Sequence, residues 1–181
     1  MTASASEVPG VSLRPLANDD LPALFLVYAS TREEELAAVP WSLEQKSAFL
    51  SQQFWAQHHW WQEHYAAASF QVIAAGSEVV GRLYVLRTAD EIRIVDIALL
   101  PQWRNRGIGG RLLADILAES DERRVAVTIH VEKNNPARQL YRRLGFEVVA
   151  DRGVYDFWSR PPGAMPPAAR RAGEGGADRM I

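Results

Sequence analysis

One stretch of this sequence restricts its fold more than any other: Leu99-Leu-Pro-Gln-Trp-Arg104-Asn-Arg-Gly107-Ile-Gly109-Gly-Arg111. Residues 91–100 lead into it with β-forming side chains, and residues 110–120 leave it with apolar side chains at helical spacing. The chain therefore passes from strand to helix through a turn that holds Gly107, Gly109 and Gly110. Glycines there let the backbone bend sharply and aim several N–H groups at one point. The partial positive charge of a helix start falls on the same spot, which suits the turn to an anion. Arg104 and Arg106 add full charges at its rim. A plain structural connection with solvated arginines would read the same way, and the turn alone does not separate the two.

Spacing removes two phosphate-binding alternatives. A dinucleotide fingerprint GxGxxG needs a glycine where Leu112 stands, and a Walker A loop needs Lys-Ser/Thr where Arg111 and Leu112 stand.

Composition sets the wider frame. Of 181 residues, 48% are hydrophobic and 23% charged, a globular mixture that excludes wholesale disorder. The net charge of −2 offers no basic excess to neutralise phosphates, so nucleic acid is not an expected partner. No apolar run approaches the ~20 residues of a bilayer span. The first residues show no basic and apolar leader pattern, so no membrane partner and a cytoplasmic location are expected. Without cysteine there is no disulfide, no thiolate metal site and no acyl-cysteine intermediate.

Residues 1–10 are small and polar, and residues 161–181 are rich in proline, glycine and alanine. Both ends are expected to be flexible, leaving 11–160 as a single domain. Within it, 11–16 reads as an edge strand, because Pro15 cannot donate to a central ladder. Asn18 or Asp19 caps a helix reaching about Ala29, and Thr31 to Pro40 reads as a link. Ser42 caps a second helix, in which Leu43, Leu50, Phe54 and Trp61 form an apolar stripe. Residues 70–75 and 79–88 make a hairpin across Gly76. The second half alternates: strand 91–100, helix 110–120, strand 124–131, a helix opened by Pro136 and ended by Gly145, then a hairpin across Gly153. This order predicts an α/β fold with a mixed sheet and helices on both faces.

Two motifs in this frame resemble those of the GCN5-related N-acetyltransferase (GNAT) family. Arg104-x-x-Gly107-x-Gly109 is similar to the family's Q/R-x-x-G-x-G/A turn. Asn134-Asn-Pro-Ala137-Arg-Gln-Leu140-Tyr141-Arg-Arg-Leu-Gly145-Phe146 is similar to its later N-x-x-A-x-x-L-Y-x-x-x-G-F signature. The resemblance implies the acyl-CoA N-acyltransferase fold, with a mostly antiparallel sheet, and acetyl-CoA as cosubstrate with no metal. It implies that N–H groups from Gly107, Ile108, Gly109 and Gly110 hold the diphosphate, with Arg104, Asn105 and Arg106 beside it. It further implies that the backbone at Leu99 takes the pantetheine arm and polarises the thioester carbonyl. By the same resemblance Asn134 contacts that arm, and Ala137 stays small beside it. Asn105 stands where the family often has glycine; asparagine tolerates left-handed backbone better than most residues.

Moving an acetyl group from a thioester to an amine requires a neutral amine, a stabilised oxyanion and a proton for the departing thiolate. Tyr141 lies where the family's general-acid tyrosine lies; a packed core tyrosine is the plainer alternative. Asp96 shares a strand face with Ile92, Ile94, Ala98 and Leu100 by period-two alternation. A carboxylate in apolar surroundings is suited to take a proton, and a hydrogen-bonded structural carboxylate fits the position equally. Glu33, Glu34 and Glu35 form a second group of candidate bases, or a solvated helix turn. Direct attack in a ternary complex is the expected route, onto a small-molecule or protein amine. A non-catalytic acyl-CoA-binding module and an enzyme for a longer acyl chain are the competing readings.

Trp55, His58, His59, Trp60, Trp61, His64 and Tyr65 form an aromatic and histidine cluster without the i, i+4 histidine pair of a helical metal site. Helix packing, an aromatic pocket wall or a homodimer interface each fit it. His130 and Glu132 share a strand face opposite the valines, as a polar pair or as lining of a groove.

Overall fold

The computed structural model describes residues 10–164, so the expectations for residues 1–9 and 165–181 lie outside the described residues. Its strands are β1 (Ser12–Pro15), β2 (Ser69–Ala75), β3 (Glu78–Arg87), β4 (Glu91–Leu99), β5 (Ala126–Glu132), β6 (Glu147–Arg152) and β7 (Tyr155–Arg160). Its helices are α1 (Leu21–Ala37), α2 (Leu43–His64), α3 (Ile108–Arg123) and α4 (Arg138–Arg143). The strands form one mixed, mostly antiparallel sheet in the order β1-β2-β3-β4-β5-β7-β6, with β4 and β5 parallel. The described residues pack as two compact units, one holding residues 10–86 and Asp96–Leu112, the other Arg87–Val95 and residues 113–164. No helix among the described residues is long and apolar enough to cross a membrane.

In the first unit, β1 pairs among the described residues only with β2, as suits an edge strand that holds Pro15. The helix expected from Asn18 or Asp19 starts later, at Leu21, with Pro22 in its first turn. Asp20 organises the entry: its carboxylate accepts both terminal nitrogens of Arg14 at 2.7 Å and the Ala17 N–H at 2.8 Å. The Arg14 hydrogen bonds hold the Asp20 carboxyl below the usual carboxylate range. α1 then runs to Ala37, eight residues past the predicted end, so Glu33, Glu34 and Glu35 lie on a helix and not in a link. Thr31 to Leu36 holds no breaker before Pro40, and Arg32 supports it by pairing with Glu35 at 3.0 Å.

α2 opens with the predicted cap: Ser42 Oγ accepts the Gln45 N–H, and Gln45 Oε1 accepts the Ser42 N–H. Of its predicted stripe, Phe54 and Trp61 are buried and Leu50 is half-buried, whereas Leu43 at the first turn is 87% exposed. Leu24, Tyr28, Phe54, Val72 and Val79 form the core beneath these helices. Each such side chain, fully buried, stabilises by about 1.5–3 kcal/mol.

The second unit has its own core of Ile92, Ile94, Leu113, Ile116, Leu117, Val127, Ile129, Val131, Phe146 and Trp158. Of Val125, Val127, Ile129 and Val131, which alternation places on one face, β5 buries the last three, and Val125 lies before the strand. α3 is longer at both ends than the predicted 110–120. The segment from Pro161, expected to be a flexible tail, is tied down where it begins. Arg160 donates to Asp121 at 2.8 Å, to the Leu144 carbonyl at 3.1 Å and to the Ala164 carbonyl at 3.0 Å. The Gly163 N–H donates to the same Asp121 carboxylate at 2.7 Å.

Candidate functional site

In the first unit the glycine-bearing turn is built step by step. β4 ends at Leu99, and the Leu100 N–H donates to the Val80 carbonyl at 2.9 Å. That approach depends on Gly81: a Cβ there would collide with the Ala98 carbonyl oxygen and sit 2.8 Å from Leu99 Cδ2. A single 3-10 turn, Pro101–Trp103, follows. The backbone then passes through the left-handed region at Asn105 (φ 58°) and again at Gly107 (φ 81°) before α3 begins. The first backbone bond of the helix is Arg111 N–H to Gly107 carbonyl at 3.0 Å. Ile108, Gly109 and Gly110 therefore occupy the first turn, whose N–H groups have no acceptor within the helix and face outward from its start.

Gly109 provides the test of whether this turn fits an external anion. Its backbone is not left-handed, and apart from its chain neighbours and the adjoining helix backbone no atom lies within 4 Å of where a Cβ would stand. Nothing in the chain itself requires glycine there; a group closing on the backbone from outside would. A diphosphate fits that description, since bare N–H groups at a helix start favour it.

The two arginines behave differently. Arg106 is exposed, its guanidinium 5.1 Å from the Trp103 ring centroid. Arg104 turns back into the unit: Nε donates to the Leu99 carbonyl at 2.8 Å, and Nη2 donates to Ser30 Oγ at 3.0 Å.

Asp96 is half-buried, and of the two readings open for it the hydrogen-bonded carboxylate is the one its surroundings fit. Arg82 of β3 donates through Nε to its carboxylate at 2.6 Å. Arg82 is 3% exposed, with Tyr28, Trp61 and Tyr84 rings centred 5.0–6.0 Å from its guanidinium. Burial pushes the Tyr84 phenol up to about 12, so it stays protonated beside the pair. The sequence signal for this arrangement was an arginine inside the apolar run of β3, which needs a counter-ion on a neighbouring strand. The aromatic cluster on α2 divides. Trp61 packs over Arg82, Trp55 and Trp60 are exposed, and His64 stacks on Trp60 at 4.3 Å. Burial, with the charges of His59 and Arg82, holds His58 below the usual imidazole range.

In the second unit, Asn134, Ala137 and Tyr141 lie on one loop and helix. Pro136 does not open the helix as predicted, because α4 starts at Arg138 with Ala137 as its cap residue. The helix has no side-chain cap; ahead of it Asn135 closes an Asx turn, its Oδ1 accepting the Ala137 N–H at 2.8 Å. Asparagine three residues before the helix, just ahead of a proline, is the sequence signal for that turn. Asn134 is exposed. Tyr141 is buried, its ring 5.6 Å from Phe146 and 6.3 Å from Trp158. The His130 ring lies 4.8 Å from that of Phe157, tilted by 36°, and partial burial holds it below the usual imidazole range, with Arg93 and Arg152 adding to the effect.

Known proteins supply an independent comparison. Residues 57–148 match the acetyltransferase (GNAT) domain family. Over 88 residues the chain is 30% identical to the ribosomal protein bS18-alanine N-acetyltransferase of Haemophilus influenzae, covering 48% of this chain and 59% of that enzyme. The chain thus spans less than two thirds of this curated relative's length. Its fold is similar to PaiA N-acetyltransferase from Thermoplasma acidophilum, solved in complex with coenzyme A. That likeness has a TM-score of 0.63 at 17% identity, over 83% of this chain and 98% of the other. It is also similar to the ribosomal-protein-S18-alanine N-acetyltransferase of Escherichia coli, at a TM-score of 0.54 and 19% identity, over 94% and 99% of the two chains.

Two substitutions probe this geometry. Asp96→Asn leaves the buried Arg82 cation uncompensated and should destabilise by about 3–5 kcal/mol in denaturant unfolding. Joint replacement, Arg82→Met with Asp96→Leu, should cost less than that single change. Gly109→Ala should leave the melting temperature unchanged or raised, since alanine favours a helix, while weakening CoA binding by about tenfold in calorimetry.

Proposed function

Because this chain belongs to the GNAT acetyltransferase domain family, we propose that it transfers the acetyl group of acetyl-CoA to a primary amine by direct attack in a ternary complex. The observation that carries this reading is the turn from Asn105 to Gly110, with outward N–H groups and a Gly109 that only an outside group would require. Ile108, Gly109 and Gly110 hold the diphosphate, and Arg106 adds its charge. The main chain at Leu99 receives the pantetheine arm and polarises the thioester carbonyl. Asn134 and Ala137 are assigned to the arm from the motif they occupy.

The acceptor arrives as an ammonium and loses one proton to Asp96, directly or through water, and the neutral nitrogen attacks the thioester carbon. Main-chain donors stabilise the oxyanion, a contribution of about 3–4 kcal/mol per donor in acyl transfer. The carbon–sulfur bond then breaks, Tyr141 gives the CoA thiolate its proton, and the proton still on the attacking nitrogen passes through water to restore the phenol. The products are the N-acetyl amine and free CoA. The chain has no cysteine to carry the acetyl group, which supports the direct route. For the acceptor, the Haemophilus influenzae relative is named for acetylating an alanine of a ribosomal protein, which favours a protein amine with alanine at its start.

Thiol release from acetyl-CoA, measured with a peptide beginning in alanine and with a panel of small amines, tests the reading. Turnover with at least one amine is expected. Tyr141→Phe should then lower kcat by about 100-fold with CoA affinity unchanged. CoA binding without turnover on any amine would replace the enzyme by a binding module.

A further inference from the structure

Arg104 belongs to the motif that brings the diphosphate to mind, yet its guanidinium is committed elsewhere. Nε donates to the Leu99 carbonyl at 2.8 Å. Nη2 donates to Ser30 Oγ at 3.0 Å and reaches the Ser30 carbonyl at 3.4 Å. Ser30 is itself fixed, since its hydroxyl donates to the Val27 carbonyl at 2.8 Å. Val27 and Tyr28 beside it are buried, so this turn of α1 is anchored in the core.

The far side of the same peptide is held too. The Leu100 N–H, which shares a peptide plane with the Leu99 carbonyl, donates to Val80 at 2.9 Å. Both polar ends of the Leu99–Leu100 peptide are therefore pinned, one by β3 and one by Arg104. A guanidinium suits this task because its donors sit in one rigid plane, which an ammonium cannot reproduce.

We propose that Arg104 is a positioning residue for acetyl transfer, bridging the Leu99 carbonyl to Ser30 of α1 to hold the end of β4 in one orientation. This rests on the acetyl-CoA reading and changes the part Arg104 plays within it. Arg104 acts on the transfer step through the Leu99 main chain, and its charge is not what retains the diphosphate.

Four variants, Arg104→Lys, Arg104→Gln, Ser30→Ala and the Arg104→Gln/Ser30→Ala pair, test it. CoA affinity is measured by calorimetry. Thiol release from saturating acetyl-CoA is measured with the alanine peptide and, without it, with water as acceptor. Expected is a fall in kcat of about tenfold for both Arg104 variants, with CoA affinity kept within about twofold. Ser30→Ala, outside the turn, should lower kcat by about threefold, and the pair should be no slower than Arg104→Gln alone. The proposal is overturned if Arg104→Gln weakens CoA by about tenfold and Arg104→Lys restores it, the mark of a charge on the phosphates. It is equally overturned if Ser30→Ala has no effect while lysine restores kcat. A wild-type chain that fails to bind CoA at all sinks the acetyl-CoA reading, and this proposal with it.

Discussion

The left-handed backbone at Asn105 and Gly107 is the constraint on which the rest of the site depends. Without those two steps the chain could not leave β4 and enter α3 within one short turn. Because it does, the helix begins with Ile108, and its first backbone bond is delayed to Arg111. Three consecutive N–H groups are left to the outside, together with the positive end of a helix long enough to carry a substantial dipole. Chemistry at this turn is main-chain chemistry. Of the two arginines beside it, Arg106 stays at the rim over Trp103, and Arg104 folds back onto Leu99 and Ser30.

A second constraint is the cation inside β3. Arg82 is buried among three aromatic rings, and the carboxylate that neutralises it is Asp96. The rings contribute cation–π attraction, but a guanidinium removed from water still needs an anion. Asp96 thus carries a structural duty whatever part it takes in proton transfer. Loss of activity on changing it reports on catalysis only where folding has been measured alongside.

Much of this was legible in the sequence where a local rule sufficed. The Ser42 capping box, the edge position forced by Pro15 and the alternating valines of β5 follow from one or two residues each. So does the turn itself, because glycine and asparagine mark left-handed backbone. The family resemblance drew on residues that lie together in each unit, from Leu99 through Gly110 in one and from Asn134 through Phe146 in the other. What escaped were features set by partners distant in sequence. The Arg82–Asp96 pair joins two strands, and Arg104 meets Ser30 across more than seventy residues. α1 ran past its predicted end because polar charged residues suit a helix surface as well as a loop. Leu43 satisfies the stripe yet stays exposed, since periodicity cannot say how far the core extends.

The account turns on whether the main chain of one short segment receives the diphosphate. Titration of ¹⁵N-labelled protein with CoA, followed through its amide signals, asks this directly. The signals of Ile108, Gly109 and Gly110 should move furthest and saturate together at one dissociation constant. If they stay in place while CoA binds elsewhere, or does not bind, the account is contradicted at its foundation.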